Sequence, residues 1–202
     1  QQFFKGVNVV GIACAVLLGT STVARERESG TLELLLSRPI SRGGILWSKA
    51  WVLGVCLVVP IYLSSLSIIP LSKWVSSLEI EPSATDLVMN VPAPELLMAS
   101  THASLFVLLF LAGAIVFSVM FRTQMHVAFV VGGLIVLEVG IYFIQVLRHG
   151  SIFMLADHDI YAPIMAGNVQ WKSLFLGTGI WIALSVVLLY GLAHWRFKRM
   201  DI

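Results

Sequence analysis

Five apolar runs leave this chain few ways to fold. They cover approximately residues 6–24, 50–71, 96–121, 127–147 and 174–195. A helix of about 20 residues crosses the roughly 30 Å hydrocarbon core of a bilayer, and each run meets that length. Lipid offers no partner for backbone N–H and C=O groups, so a lone apolar segment there satisfies its backbone as a helix. A membrane barrel needs strands of alternating character separated by turns, and these runs lack that rhythm. The expected fold class is all-α, a polytopic bundle of transmembrane helices. Composition agrees, with 58% hydrophobic and 12% charged residues, where a soluble domain carries about 25% charged. No hydrophilic stretch much exceeds about 25 residues, too short for a further soluble domain, so residues 1–202 read as a single membrane domain.

Lys and Arg give the orientation. Arg25, Arg27, Arg38, Arg42, Lys49, Arg122, Arg196, Lys198 and Arg199 fall on one side of the membrane; Lys5, Lys73, Arg148 and Lys172 fall on the other. The richer side is expected to be cytoplasmic. Residue 1 is then outside, the C-terminus inside, and residues 72–95 and 148–173 form extracytoplasmic loops. The first run follows Lys5 alone, a poor basic region for a secretory signal, and is long enough to be a full span. Gly19 to Thr22 are small residues suited to close helix contact. Pro60 and Pro70 are expected to kink the second span. Cys14 and Cys56 sit inside apolar runs and suggest neither a disulfide framework nor a zinc site.

Residues 25–49, between the first two runs, are the most polar part of the chain. Thr31 to Ser37 suit a short helix, with Leu32, Leu35 and Leu36 on one apolar stripe. Leu34 points almost opposite to that stripe and is exposed unless another protein covers it. Glu33 lies in the first turn, where negative charge is favoured. Pro39 ends the helix, and Ser41 is placed to cap the next one. Glu26 and Glu28 are expected to hold the loop through charge-assisted bonds, either to Arg42 or to a partner protein. On periodicity alone, an amphiphilic loop lying on the cytoplasmic leaflet explains the stretch equally well.

The same stretch carries the pattern Glu-x-Glu-x-Gly-Thr-x-Glu-x-Leu followed by a Pro, at Glu26, Glu28, Gly30, Thr31, Glu33, Leu35 and Pro39. It resembles the cytoplasmic loop after the second membrane helix of permease subunits in the ABC type-2 exporter family. The resemblance implies that residues 25–49 form a coupling loop and helix that meet a separate cytoplasmic ATPase subunit. The residues so implicated are Glu26, Glu28, Gly30, Thr31, Leu32, Glu33, Leu34, Leu35, Pro39 and Arg42. It further implies a transport path shared with a second permease copy or a homologue, a multi-pass location in the cell membrane, and ATP bound by the partner rather than by this chain. Six spans with both ends inside are usual for the family, so a further span is expected before Gln1. Residues 43–50 superficially resemble a phosphate-binding loop, but Ser48 stands for its second glycine, Ala50 for its hydroxyl residue, and no strand precedes it. ATP hydrolysis, or any catalytic residue, is not expected here.

Three polar features lie outside the loop. Glu138 falls within the fourth run, where a carboxylate is costly and should face a cavity or partner; contact with substrate or protons and a structural hydrogen bond both remain open. His102 reads as structural. Asp157, His158 and Asp159 are adjacent and read as a solvated turn rather than as a metal site. A membrane-embedded enzyme and a non-transporting anchor or assembly subunit are the rival readings. The basic residues sit in short juxtamembrane loops and give no support to nucleic-acid binding.

Overall fold

The computed structural model describes residues 2–37, 41–77 and 92–200. Helix α1 spans Gln2–Ser21, followed by the short helices α2 (Ala24–Glu28) and α3 (Thr31–Leu36). Helix α4 spans Arg42–Ser77, α5 spans Ala93–Met120 and α6 spans Gln124–Phe143. Two 3₁₀ turns, Arg148–Gly150 and Ile152–Ala156, lead into α7 (His158–Met165). The last span runs Trp171–Lys198 as α8 (Trp171–Leu174), a π-helical turn (Phe175–Gly179) and α9 (Ile180–Lys198). Among the described residues there is no strand and five helical segments are long and apolar enough to cross a membrane. The expected all-α polytopic bundle is what the chain forms.

Helix α5 is the axis of the bundle. In its most apolar window 67% of residues are buried, against 17% for α4 and 11% for α6. It packs against α1, α4, α6, α7 and α9. An almost uniformly apolar helix has no preferred outward face, which suits a helix enclosed on all sides. The surrounding helices instead leave large side chains outside, such as Leu17, Leu63, Phe129 and Val187. Water would penalise such faces, and lipid does not. Helix α1 approaches α5 closely where Gly11 and Gly19 face it. A Cβ on Gly19 would lie 2.5 Å from the Cβ of Ala114, and one on Gly11 would lie 2.6 Å from Cγ2 of Val107. Small residues at such crossings let van der Waals packing hold helices together in lipid.

Two spans differ from their expected limits. Helix α4 continues through both Pro60 and Pro70. The Ser64 and Ser65 hydroxyls donate back to the Pro60 and Ile61 carbonyls at 2.7 Å each, so both hydroxyls are satisfied within the helix itself. Its 36 residues amount to about 54 Å at about 1.5 Å per residue, well beyond the hydrocarbon thickness. Helix α6 stops at Phe143, four residues short of the expected 147. Its Glu138 carboxylate accepts from the backbone N–H of Ile152 at 3.1 Å and from the Ser151 hydroxyl at 3.2 Å, which folds the returning chain back over the helix end.

The spans alternate, so their ends gather into two layers. One layer holds α2, α3, the start of α4, the α5–α6 link and the end of α9; it carries Arg25, Arg27, Arg42, Lys49, Arg122 and Arg196 and is here termed the basic end. The opposite layer is roofed by residues 144–170 and is termed the capped end.

Candidate functional site

The candidate site lies at the basic end, where α1 breaks and α2 and α3 form a small platform. A broken helix exposes backbone N–H groups that need partners. Here one side chain from another helix supplies them. The Ser118 hydroxyl on α5 accepts from the N–H of Val23 at 2.9 Å and of Ala24 at 3.0 Å, and donates to the Thr20 carbonyl at 3.1 Å. The elbow between α1 and α2 is thus fixed to the axis of the bundle.

Beyond the elbow, the motif residues hold α2 and α3 in place. Glu26 is ion-paired with Lys49 of α4, whose ammonium also donates to the Thr22 carbonyl at 3.0 Å. The Glu28 carboxylate accepts from the backbone N–H of Gln124 at the start of α6, at 3.0 Å. Gly30 turns the chain between α2 and α3 with φ of 72°, a left-handed conformation in which only glycine avoids a Cβ clash. The Thr31 hydroxyl then reaches back to the Glu26 carbonyl at 3.3 Å. Arg42 does not take its expected place opposite Glu26 or Glu28; its guanidinium donates to the Met200 carbonyl at 2.7 Å and binds the start of α4 to the C-terminal segment. Ser41 caps α4 as its position suggests, accepting from the Gly44 N–H at 3.2 Å. Pro39 lies outside the described residues.

Helix α3 has two unlike sides. Leu32 is 2% exposed and belongs to the main core, whereas Leu34 is 70% exposed. Leu35 is half-buried and Glu33 exposed. Beside it a cleft of about 430 Å³ opens between the platform and the α5–α6 link, lined by Arg27, Glu28, Gly30, Leu32, Glu33 and Arg122. The arrangement presents an isolated leucine and mixed charges on a helix anchored from behind. Sequence reasoning missed Ser118, Lys49 and Gln124 as anchors. A single hydroxyl among the apolar residues 105–120 was the one available signal for Ser118; Gln124 acts through its backbone and left none.

The remaining polar candidates lie at the capped end and are separate from the platform. Glu138 is half-buried and engaged with Ser151 and Ile152 as described. His102 is fully buried; its Nε2 lies 3.2 Å from the Thr178 hydroxyl, which the π-helical turn delivers, and its Nδ1 lies 3.4 Å from the Tyr161 hydroxyl. Burial pushes the Tyr161 hydroxyl up to about 12, so it stays neutral and able to donate. Asp157 is not part of a solvated turn: it is buried and paired with Arg148, because the 3₁₀ turns fold the chain back between them. The side chain of His158 lies outside the described residues. Among the described residues no three His, Cys, Asp or Glu side chains converge as metal ligands.

Four apolar spans around a central fifth, with a short two-helix platform inserted after the first span of the chain, define a multi-pass membrane protein. The chain belongs to the family described as ABC-2 family transporter protein, whose model matches residues 1–202. Over 92 residues it is 35% identical to the inner membrane transport permease YhhJ of Escherichia coli (strain K12), and equally to YhhJ of Shigella flexneri. The match takes in 46% of this chain and 23% of each relative, so it spans under a quarter of the length of these curated proteins.

Proposed function

We propose that the chain is the membrane-spanning permease subunit of an ATP-driven exporter in the cell (inner) membrane, with the basic end in the cytoplasm. A separate ATPase subunit docks on α3, and a second permease copy or a homologue completes the substrate path. The observation that carries this reading is the pairing of Leu34, 70% exposed, with Leu32, 2% exposed, on one anchored helix. An apolar side chain on a polar, cytoplasm-facing element gains by entering a groove on a partner, and burying one leucine is worth roughly 1.5–3 kcal/mol. Movement of the ATPase would reach α1 through the Ser118-bound elbow, α4 through Lys49 and α6 through Gln124. The three anchors sit on separate spans, so one push at α3 acts on all of them. The ATPase supplies the energy, and the permease supplies contacts that differ between two states. The platform residues bear on coupling, whereas Glu138 bears on the shape of the capped end.

The test is co-purification of a co-expressed ATP-binding subunit with Leu34→Asp. The substituted permease should reach the membrane in normal amount, and recovery of the ATPase should fall by about tenfold or more, the equivalent of the lost leucine burial. Normal recovery together with normal substrate-responsive ATP hydrolysis would sink the coupling role of α3. Orientation is checked separately by single-cysteine labelling at Ser37 and Asn168. An impermeant reagent applied outside should reach Asn168 and not Ser37.

A further inference from the structure

The cleft of about 430 Å³ beside α3 holds more charge than the platform uses. That volume is in the range of small-ligand sites. Arg27 of α2 is half-buried in its wall, and Arg122 of the α5–α6 link is exposed there. Arg196, near the end of α9, is exposed and lies close enough for its charge to act on Arg27 together with that of Arg122. Glu26 is engaged with Lys49, and Glu28 with the Gln124 N–H. Among the described residues none of the three arginines has an ion pair or a side-chain hydrogen bond, and neither has Glu33, which is exposed on the same cleft. The cleft therefore gathers guanidinium groups that repel one another and one carboxylate that none of them reaches. Like charges held together are unfavourable until an anion comes between them. The cleft also lies at headgroup depth. Trp195, 49% exposed beside Arg196, has the Arg199 guanidinium 4.4 Å from its ring centroid, the interfacial aromatic and cation that mark the end of a span. Met120 and Met125, on either side of Arg122 in the chain, are 52% and 62% exposed and suit contact with acyl chains.

We propose that this cleft binds a phosphodiester carrying a primary amine, the headgroup of phosphatidylethanolamine. A guanidinium presents its N–H donors as a planar fork that matches phosphate oxygens. Arg27 and Arg122 each take one unesterified oxygen, and Arg196 adds positive charge beside them. A plain anion would meet the Glu33 carboxylate in the same cleft, whereas a headgroup with an ammonium two carbons beyond its phosphate satisfies both signs at once. That ammonium donates N–H bonds to Glu33, which a trimethylated choline cannot do. The bound headgroup bridges α2, α3 and the α5–α6 link. Both the lipid and soluble glycerophosphoethanolamine carry this chemistry. The site does not depend on ATPase docking, since all of its groups belong to this chain.

Native mass spectrometry of the full-length permease in detergent, without an ATPase, tests it. The lipids are phosphatidylethanolamine, phosphatidylcholine and phosphatidylglycerol with the same acyl chains. Phosphatidylethanolamine should bind about tenfold more tightly than the other two, the worth of one charge-assisted hydrogen bond. Arg122→Gln should weaken its binding about tenfold, and Arg122→Lys should weaken it less. Glu33→Gln should bring phosphatidylethanolamine and phosphatidylcholine to about equal affinity. Neither side chain bonds to the rest of the chain, so an unchanged lipid-free thermal midpoint is the control for both. Displacement of the lipid by equimolar glycerophosphoethanolamine identifies a soluble compound as the ligand; resistance to it identifies the membrane lipid. Equal binding of the three lipids by the parent, or phosphatidylethanolamine binding unchanged by Arg122→Gln, overturns the site. Loss of ATPase recovery by Arg122→Gln with lipid binding intact also overturns it, and assigns the arginine to an acidic surface of that partner.

Discussion

At the capped end Tyr161 is buried, stacks on Phe4 with ring centroids 5.1 Å apart, and shares its hydroxyl with Asn8 and His102. At the basic end Leu34 stands in the open on a helix of six residues. Both ends are fastened to α5, but by different means. The roof is fastened by side chains packed into a core, where each atom displaced loses many contacts at once. The platform is fastened mostly by bonds that use backbone groups, through Ser118, Lys49 and Gln124, and among its described side chains only the small Ala24 and Leu32 enter a core. Packing resists every direction of movement, whereas a few directional bonds define a hinge and leave the outer surface free. A layer built the second way is suited to being pushed, and one built the first way is suited to staying shut.

The largest test of this contrast is at the roof. Tyr161→Ala removes a buried aromatic together with the shared hydroxyl and should cost about 3–5 kcal/mol, the usual range for a large aromatic cut to alanine. Tyr161→Phe keeps the ring on Phe4 and removes only the hydrogen bonds, so it should cost about 1 kcal/mol. Thermal unfolding in detergent, followed by a fluorescent thiol probe on Cys14 or Cys56, reads both. Equal losses for the two variants would mean that the polar network, not packing, holds the roof, and the contrast between the ends would fail.

Next in size is the elbow. Ser118→Ala removes only the hydroxyl from α5 and leaves the N–H groups of Val23 and Ala24 without their acceptor, at about 1–3 kcal/mol for each buried donor. The loss should be local. Hydrogen exchange should accelerate at residues 22–28 and stay unchanged at residues 158–165. Acceleration at both ends would show that the elbow and the roof unfold as one unit.

Much of this contrast was legible in the sequence, and the unread part has a common cause. The five spans derive from run length, because lipid allows an apolar segment only one backbone solution. Leu32 and Leu34 were separable because a helix of 3.6 residues per turn puts them nearly opposite. The partner of Glu26 was not legible: Arg42 and Lys49 both lie further along on the same helix, and only the three-dimensional path of the chain selects Lys49. Asp157 looked solvated because its pairing with Arg148 depends on two 3₁₀ turns that carry no strong periodicity. Glu138 looked mid-span because Ile144, Val146 and Leu147 extend the apolar run, yet α6 ends before them once Glu138 has bound the returning chain. Where a residue's role is set by its own helix face, the sequence carries it; where it is set by a backbone group elsewhere, it does not.

The smallest expected effect on stability is also the sharpest comparison within the platform. Leu34→Ser removes a side chain that is mostly exposed in the isolated chain, so its stability should change by no more than about 0.5 kcal/mol, as surface substitutions do. Leu32→Ser, two residues away, removes a core side chain and buries a hydroxyl in its place, and should cost about 2–5 kcal/mol. The two variants have the same chemistry and the same helix, so propensity and charge cancel between them. If ATPase recovery falls with Leu34→Ser while the midpoint is unchanged, the exposed face acts by contact. If it falls only in proportion to lost stability, with Leu32→Ser the worse of the two, α3 is a structural strut, and the partner must dock on another part of the basic end.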